Sequence, residues 1–303
     1  MKTGKLYIIG NGFDLYHGLK TKYSDFREYL ERKRDYFELL NLLNNHFPDN
    51  LWSEFENNLS KLDSDSVADE HYELLPDEDS DRTMDRHIFP DAIEGVKENL
   101  TTILKNALRD WILNLDYDLE VELLNLDKNS KYLTFNYSDT LERLYGINRN
   151  QITYLHNKAQ YSSPRLKWRE FDYSDIIVGH ADRDITKRQN AKKFIGFKTD
   201  YAIEEGNEIL NSYYEQSLKK TEEIIAENTS FFNKLCDIEE IEIIGHSLSN
   251  IDMPYFVKIK EKAINVKKWI ITYHGDENFA EIERQSQIFL KNLENVEFVN
   301  TNE

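Results

Sequence analysis

The stretch Leu6-Tyr7-Ile8-Ile9-Gly10-Asn11-Gly12-Phe13-Asp14 decides how the fold is read. A short apolar run with two β-branched residues ends in Gly-Asn-Gly. Helix-compatible sequence follows and reaches His17-Gly18-Leu19. An apolar run of this length bounded by glycine reads as a buried strand. Glycines permit positive φ and close backbone approach, and N–H groups at the start of the next helix suit a phosphate. The third glycine of Gly-x-Gly-x-x-Gly is missing, so a tight strand-to-helix turn is the plain alternative. Gly10, Asn11, Gly12, Phe13 and Asp14 are the candidate nucleotide-binding residues here.

Six further runs read as buried strands: Lys131–Asn136, Gln151–His156, Asp175–Gly179, Glu240–Gly245, Trp269–His274 and Asn295–Asn300. With Lys5–Gly10 they make seven. Helical periodicity covers Tyr23–Phe47, Ile93–Leu115, Ala202–Leu235 and Phe279–Leu290. Strands alternating with helices predict an α/β fold with a Rossmann-like, mostly parallel sheet covered on both faces. The strands are unevenly spread. The chain, 1–303, therefore reads as a single α/β domain with large helical insertions over about 22–125 and 181–236.

Composition narrows the function classes. Hydrophobic residues make up 40% of the 303 and aromatics 13%, enough for a sizeable core. No basic start is followed by a signal-like apolar stretch, and no run of about 18 apolar residues suggests a membrane span. A cytoplasmic protein without membrane contact is expected. One cysteine, Cys236, excludes an internal disulfide and a multi-cysteine zinc site. Its neighbours Phe231, Phe232 and Leu235 predict a small buried hydrophobe. A net charge of −18 repels phosphate backbones over about 8 Å at physiological salt, so general nucleic-acid binding is disfavoured. The basic stretch Lys187–Lys198 is the local exception. Residues 63–94 hold twelve Asp and Glu against two Arg, and read as a solvated loop. The scattered histidines predict no metal.

Three other strand ends carry polar residues. Asn136 closes Tyr132-Leu133-Thr134-Phe135-Asn136 and reads as a ligand contact, as the N-cap of a helix over 138–145, or both. Glu142 in that helix reads as a solvated position. His156 closes Ile152-Thr153-Tyr154-Leu155-His156, and histidine is the usual general base near neutral pH. The third end is Gly245-His246-Ser247-Leu248-Ser249, where Gly245 and Ser247 suit a ribose or phosphate. Asp252 beyond it is a helix N-cap or a ribose ligand.

The segments GNGFDLYHGLKTKYSDF, LWSEFENNL, FNYSDTLERLY, YLHN and IGHSLSNIDMPYF, in this order over residues 6 to 256, resemble the AbiH family of bacterial phage abortive-infection proteins. The same order is more remotely similar to the sirtuin-like NAD-binding fold. That similarity implies that Gly10 and Gly12 hold a diphosphate and that Asn136 sits by the nicotinamide ribose. It also implies that His156 is the base and that Gly245, His246 and Ser247 border the adenosine ribose. The His-Gly of that wider group is His156-Asn157 here, and the paired cysteines of deacetylating sirtuins are absent.

The expectation is an antiphage effector that hydrolyses NAD to nicotinamide and ADP-ribose, with Asn136 and His156 catalytic. NAD or a related nucleotide is the expected ligand, and a phage-derived trigger and self-association through apolar helix faces are the further partner expectations. The rival readings are a non-catalytic nucleotide-sensing or partner-binding defence protein, and a serine hydrolase built on Ser247, Asp252 and His274.

Overall fold

The computed structural model describes residues 4–75, 85–160, 176–185, 201–292 and 294–301; the basic stretch Lys187–Lys198 lies outside them. Two compact units emerge. One comprises residues 1–22, 109–177 and 220–303, the other residues 23–108 and 178–219.

The first unit is α/β. Its strands are β1 (Gly4–Ile9), β2 (Lys131–Thr134), β3 (Ile152–Tyr154), β4 (Ile238–Ile244), β5 (Lys268–Tyr273) and β6 (Val296–Asn300). They form one sheet in the order β3-β2-β1-β4-β5-β6. Every pairing is parallel. Alternation along β1 feeds both faces. Leu6 and Ile8 join Leu133, Ile241, Ile243, Trp269 and Ile271 in one cluster. Tyr7 and Ile9 join Tyr132, Ile152, Tyr154 and Ile244 in the other. Tyr7 stacks on Tyr132 with ring centroids 5.0 Å apart. Burial on both faces explains why Leu6–Ile9 of β1 reads as a continuous apolar run.

Chain order reverses between β1 and β4, so their C-terminal ends flank the position where α/β sheets of this order bind ligands. Here the two ends lock together. Gly10 N–H donates to Ile244 O at 2.9 Å and Gly12 N–H to Gly245 O at 2.7 Å. A Cβ on Gly12 would lie 2.7 Å from Gly245 Cα. Gly245 has φ +65°, and a Cβ there would collide with the backbone of Gly12 and Phe13.

The second unit is helical. The helix Asp85–Glu98 packs along Tyr201–Gln216, and Gly206 leaves room for the Phe89 ring. A π-helical turn, Asn99–Ile103, follows the first of these helices. Tyr213 and Tyr214 donate their hydroxyls to Leu59 O at 2.7 Å and Leu62 O at 3.0 Å.

Four expectations are corrected. Residues 176–179 form no strand, although Ile176 and Val178 are buried. Ile177 instead donates its N–H to His156 O at 2.9 Å, and its carbonyl accepts from Tyr137 at 2.8 Å. The segment 63–94 is largely helical rather than a loop. Asp63 caps the helix Ser64–Glu70 by accepting from Ser66 N–H at 3.0 Å, Val67 is buried, and Phe89 and Ile93 bury one face of the next helix; residues 76–84 lie outside the described ones. The long helices expected over Tyr23–Phe47 and Ala202–Leu235 are each divided into shorter ones. Cys236 is exposed, because the 3-10 turn Lys234–Asp237 turns Leu235 inward and leaves its neighbour outside.

Gly245→Ala is expected to lower unfolding free energy by more than about 2 kcal/mol, because it combines left-handed backbone strain with a backbone collision. Chemical denaturation would show this as a lower midpoint; an unchanged midpoint would contradict the packing described.

Candidate functional site

The site is built where β1, β2, β3 and β4 end. At the end of β1, Gly10 precedes the short helix Asn11–Tyr16. Asn11 is exposed and donates its side-chain amide to Thr21 O at 2.8 Å. Phe13 is buried in the core, its ring against His17 and Tyr145. His17 is fully buried. Its Nδ1 lies 2.6 Å from Phe13 O and its Nε2 2.7 Å from the Tyr145 hydroxyl. Since a carbonyl only accepts, Nδ1 carries the proton and Nε2 accepts from Tyr145. Burial lowers the His17 pKa, which keeps this ring neutral and structural.

Asp14 is 1% exposed and accepts a hydrogen bond from Ser138 Oγ at 2.6 Å. Ser138 accepts in turn from Thr140 at 3.0 Å. Burial pushes the Asp14 carboxyl up to about 6, against the stabilising Ser138, Thr140 and Asn136 side chains. A carboxyl with this pKa changes charge near neutral pH.

Beyond β2, Phe135 and Asn136 serve two neighbouring clusters. Asn136 donates Nδ2–H to Gly10 O at 3.0 Å, and its own N–H reaches Thr134 Oγ1 at 3.1 Å. The expected N-cap role is corrected: the helix is Thr140–Arg143, with Asp139 at the cap position and no side-chain cap bond. Asn136 instead ties the end of β2 to the β1 turn. Glu142 is not a purely solvated position either. It accepts from Tyr154 at 2.7 Å and pairs with Lys158 at 2.9 Å.

The second cluster holds His156, His246 and Asp252. Asp252 Oδ1 lies 3.7 Å from His156 Nε2, and Oδ2 lies 3.6 Å from His246 Nε2. Both imidazoles are at least 95% buried. The Phe135 ring meets His156 at 5.3 Å and His246 at 4.3 Å between centroids, both edge-on, and Tyr255 meets His156 at 5.7 Å. The carboxylate thus lies between two rings in an aromatic wall.

Two residues beside these histidines are left-handed without being glycine: Asn157 at φ +64° and Leu248 at φ +53°. Asparagine adopts this conformation readily and leucine rarely. Asn157 therefore keeps the turn that a glycine after the histidine would make. Leu248 is held by full burial and by its N–H bond to His246 Nδ1 at 2.9 Å. Such strain persists where surrounding structure over-determines it, often at functional sites.

The structure brings Gly10, Gly12 and Phe13 against Gly245, Asp14 against Ser138, and Asp252 against both His156 and His246. It does not gather the serine-hydrolase set. Ser247 is exposed, Asp252 faces His156 and His246, and exposed His274 lies 3.3 Å from Thr301 Oγ1. Asp252 stands at the N-cap position of the helix Met253–Lys262 but makes no side-chain cap bond. Ser138, Thr140, Phe135 and Tyr255 were missed from sequence. Only the run Asn136-Tyr137-Ser138-Asp139-Thr140 hinted that hydroxyls cluster near the β2 end.

A model of the family described as bacteriophage abortive infection AbiH matches residues 6–273. No curated protein and no solved structure matches the chain. Among the described residues, no helix is long and apolar enough to cross a membrane, and no group of three potential ligands could hold a metal ion.

The raised Asp14 pKa has a pH signature. A carboxyl whose folded pKa exceeds its unfolded value stabilises the fold fully below the unfolded value, and that stabilisation is lost as pH rises through the folded one. The window runs from 3.8 to about 6, and the effect is on the order of 3 kcal/mol for this buried group. Asp14→Asn should flatten the fall in stability across that window and be more stable than wild type at pH 7. Denaturation curves from pH 4 to 7 with parallel slopes for the two proteins would refute it.

Proposed function

The chain belongs to the AbiH family, which makes it an antiphage abortive-infection protein, and from that premise we propose that it acts by hydrolysing NAD to nicotinamide and ADP-ribose. The observation that carries this reading is the buried His156 set against Asp252 beside the β1–β4 reversal, with Asn136 and Asp14 at the neighbouring strand ends. Ligands of open α/β sheets lie outside this carboxyl edge.

The chemistry asks little of an acid. The C1′–N bond breaks with its electron pair leaving on the nicotinamide ring, which departs neutral. A water oxygen bonds to C1′, and one water proton must go to a base. His156 takes that proton. Asn136 orients the water or the ribose hydroxyls. Asp14, once ionised, favours the oxocarbenium-like sugar electrostatically. Loss of cellular NAD then denies the phage its host metabolism, in keeping with abortive infection.

One observation favours a second reading, a non-catalytic nucleotide-sensing or partner-binding defence protein. The backbone of Gly245 and His246 fills the space that Gly10 and Gly12 leave, and Gly12 N–H is spent on Gly245 O. A diphosphate would have to find other donors or displace this contact.

Chromatography of nicotinamide and ADP-ribose after incubation with NAD tests the two. Wild type is expected to turn NAD over, and His156→Ala to lose about 10²–10⁴-fold, with Asn136→Ala also impaired. Equal turnover in all three proteins would overturn the assignment of residues. Tight NAD binding without turnover, in vitro and in phage-infected cells, would favour the sensor.

A further inference from the structure

Asp14 has one carboxylate oxygen that the fold does not use. Oδ2 accepts from Ser138 Oγ at 2.6 Å, and Ser138 accepts from Thr140 Oγ1 at 3.0 Å. Thr140 Oγ1 in turn lies 3.4 Å from the Tyr117 hydroxyl. A hydroxyl has one hydrogen to give. Thr140 gives its hydrogen to Ser138 and Ser138 gives its own to Asp14, so Tyr117 is the donor to Thr140. The row runs Tyr117, Thr140, Ser138, Asp14, with every hydrogen directed toward the carboxylate. Oδ1 is buried and makes no hydrogen bond among the described residues.

Packing alone does not explain this arrangement. Asp14 is 1% exposed. Burial pushes its carboxyl up to about 6, with nearby Asp139 adding to the rise and the Ser138, Thr140 and Asn136 side chains opposing it. Ionised Asp14 therefore destabilises the fold at pH 7. An asparagine of the same shape would hold Ser138 through one oxygen and carry no such charge. Groups with perturbed pKa values cluster at functional sites. A metal ion is a poor match, since no group of three potential ligands occurs among the described residues. The near neighbours are neutral hydroxyls and an amide, and a single open carboxylate oxygen among them suits a neutral O–H donor.

We propose that Asp14 is a ribose-binding residue, whose Oδ1 accepts a hydrogen bond from the 2-hydroxyl of the sugar that loses nicotinamide and so selects ribosyl over deoxyribosyl substrates. The assignment rests on the NAD-hydrolysis reading. At the carboxyl edge of a nucleotide-binding sheet, a carboxylate is a standard acceptor for a ribose hydroxyl. Here it comes from the first helix instead of a later strand. Asn136, which donates to Gly10 O at 3.0 Å, stands on the same turn. A hydroxyl bound to Oδ1 places the negative charge beside the sugar that turns cationic. Oδ1 is covered in this conformation, so the sugar displaces a neighbour to reach it. Tyr117 has the longest bond in the row and stands in a stretch, 115–127, without helix or strand. Asp139 and Tyr117 are the titratable groups that face Asp14 from the elements around it. Arg143 pairs with Asp139 at 2.7 Å and lies over the Tyr117 ring.

The experiment is calorimetric binding of two probes to the full chain, wild type and Asp14→Asn, beside the NAD assay. The probes are ADP-ribose and its analogue lacking the 2-hydroxyl of the terminal ribose. Both lack nicotinamide, so affinity is read without turnover. At neutral pH wild type should bind ADP-ribose about 10–10²-fold more tightly than the analogue, the range for a hydrogen bond to a charged group. Asp14→Asn should reduce this ratio severalfold, because a neutral amide oxygen is the weaker acceptor. The wild-type ratio should also shrink as pH falls through about 6 and Asp14 gains its proton, while the ratio in Asp14→Asn stays level. A role in folding alone would change both affinities alike, and thermal melting shows that the variant is folded. Equal affinities in wild type, or a ratio that Asp14→Asn leaves in place, would overturn the proposal. So would failure of ADP-ribose to bind at millimolar concentration. The expected ratio without NAD turnover would keep the sugar contact and remove the hydrolysis reading. Turnover with equal affinities would do the reverse.

Discussion

Gly12 donates its N–H to Gly245 O across the β1–β4 reversal at 2.7 Å, and much of this protein is arranged around that approach. It needs three residues without side chains, Gly10, Gly12 and Gly245, the last in left-handed backbone. It brings the turn after β1 to the turn after β4 and so sets where His246 begins. Asn136 reinforces it from the other side by donating to Gly10 O. A chain that could not bring these backbones together would lose the alignment of four strand ends, and with it the cluster they carry.

Around this contact the unit buries an unusual set of polar groups. Asp14, His17, Asn136, His156 and His246 are all at least 92% buried. Burial of a charge is costly unless it is paired or neutralised, and the residues follow different routes. His17 stays neutral between Phe13 O and Tyr145. Asp14 leans on Ser138 and holds its proton more tightly than an exposed carboxyl would. His156 and His246 share the carboxylate of Asp252. The first route is structural. The second keeps a carboxyl whose charge changes near neutral pH, the condition that proton chemistry asks for.

Family membership says what the protein is for, defence by abortive infection. The chemistry must be argued from the site, since one fold hosts many activities. The arrangement here has a buried imidazole, a carboxylate beside it, and polar strand ends at the edge where sheets of this order bind ligands. It also has glycines already occupied by the protein's own backbone.

The sheet was legible in the sequence because parallel strands buried on both faces are mostly apolar, as Leu6–Ile9 is throughout and Tyr132–Leu133 and Ile243–Ile244 are in part. The glycine turn was legible for the same local reason, as only glycine tolerates such backbone approach. Ile176–Gly179 misled because burial alone makes a segment apolar, whether or not it pairs. Helix breaks within Tyr23–Phe47 and Ala202–Leu235 were hidden, since an apolar stripe continues through a short interruption. The sequence by itself determined that His156, His246 and Asp252 would stand at or just beyond strand ends. Only the tertiary structure decided that they meet over one carboxylate, because strand order and register, not spacing along the chain, bring the end of β3 beside the turn after β4.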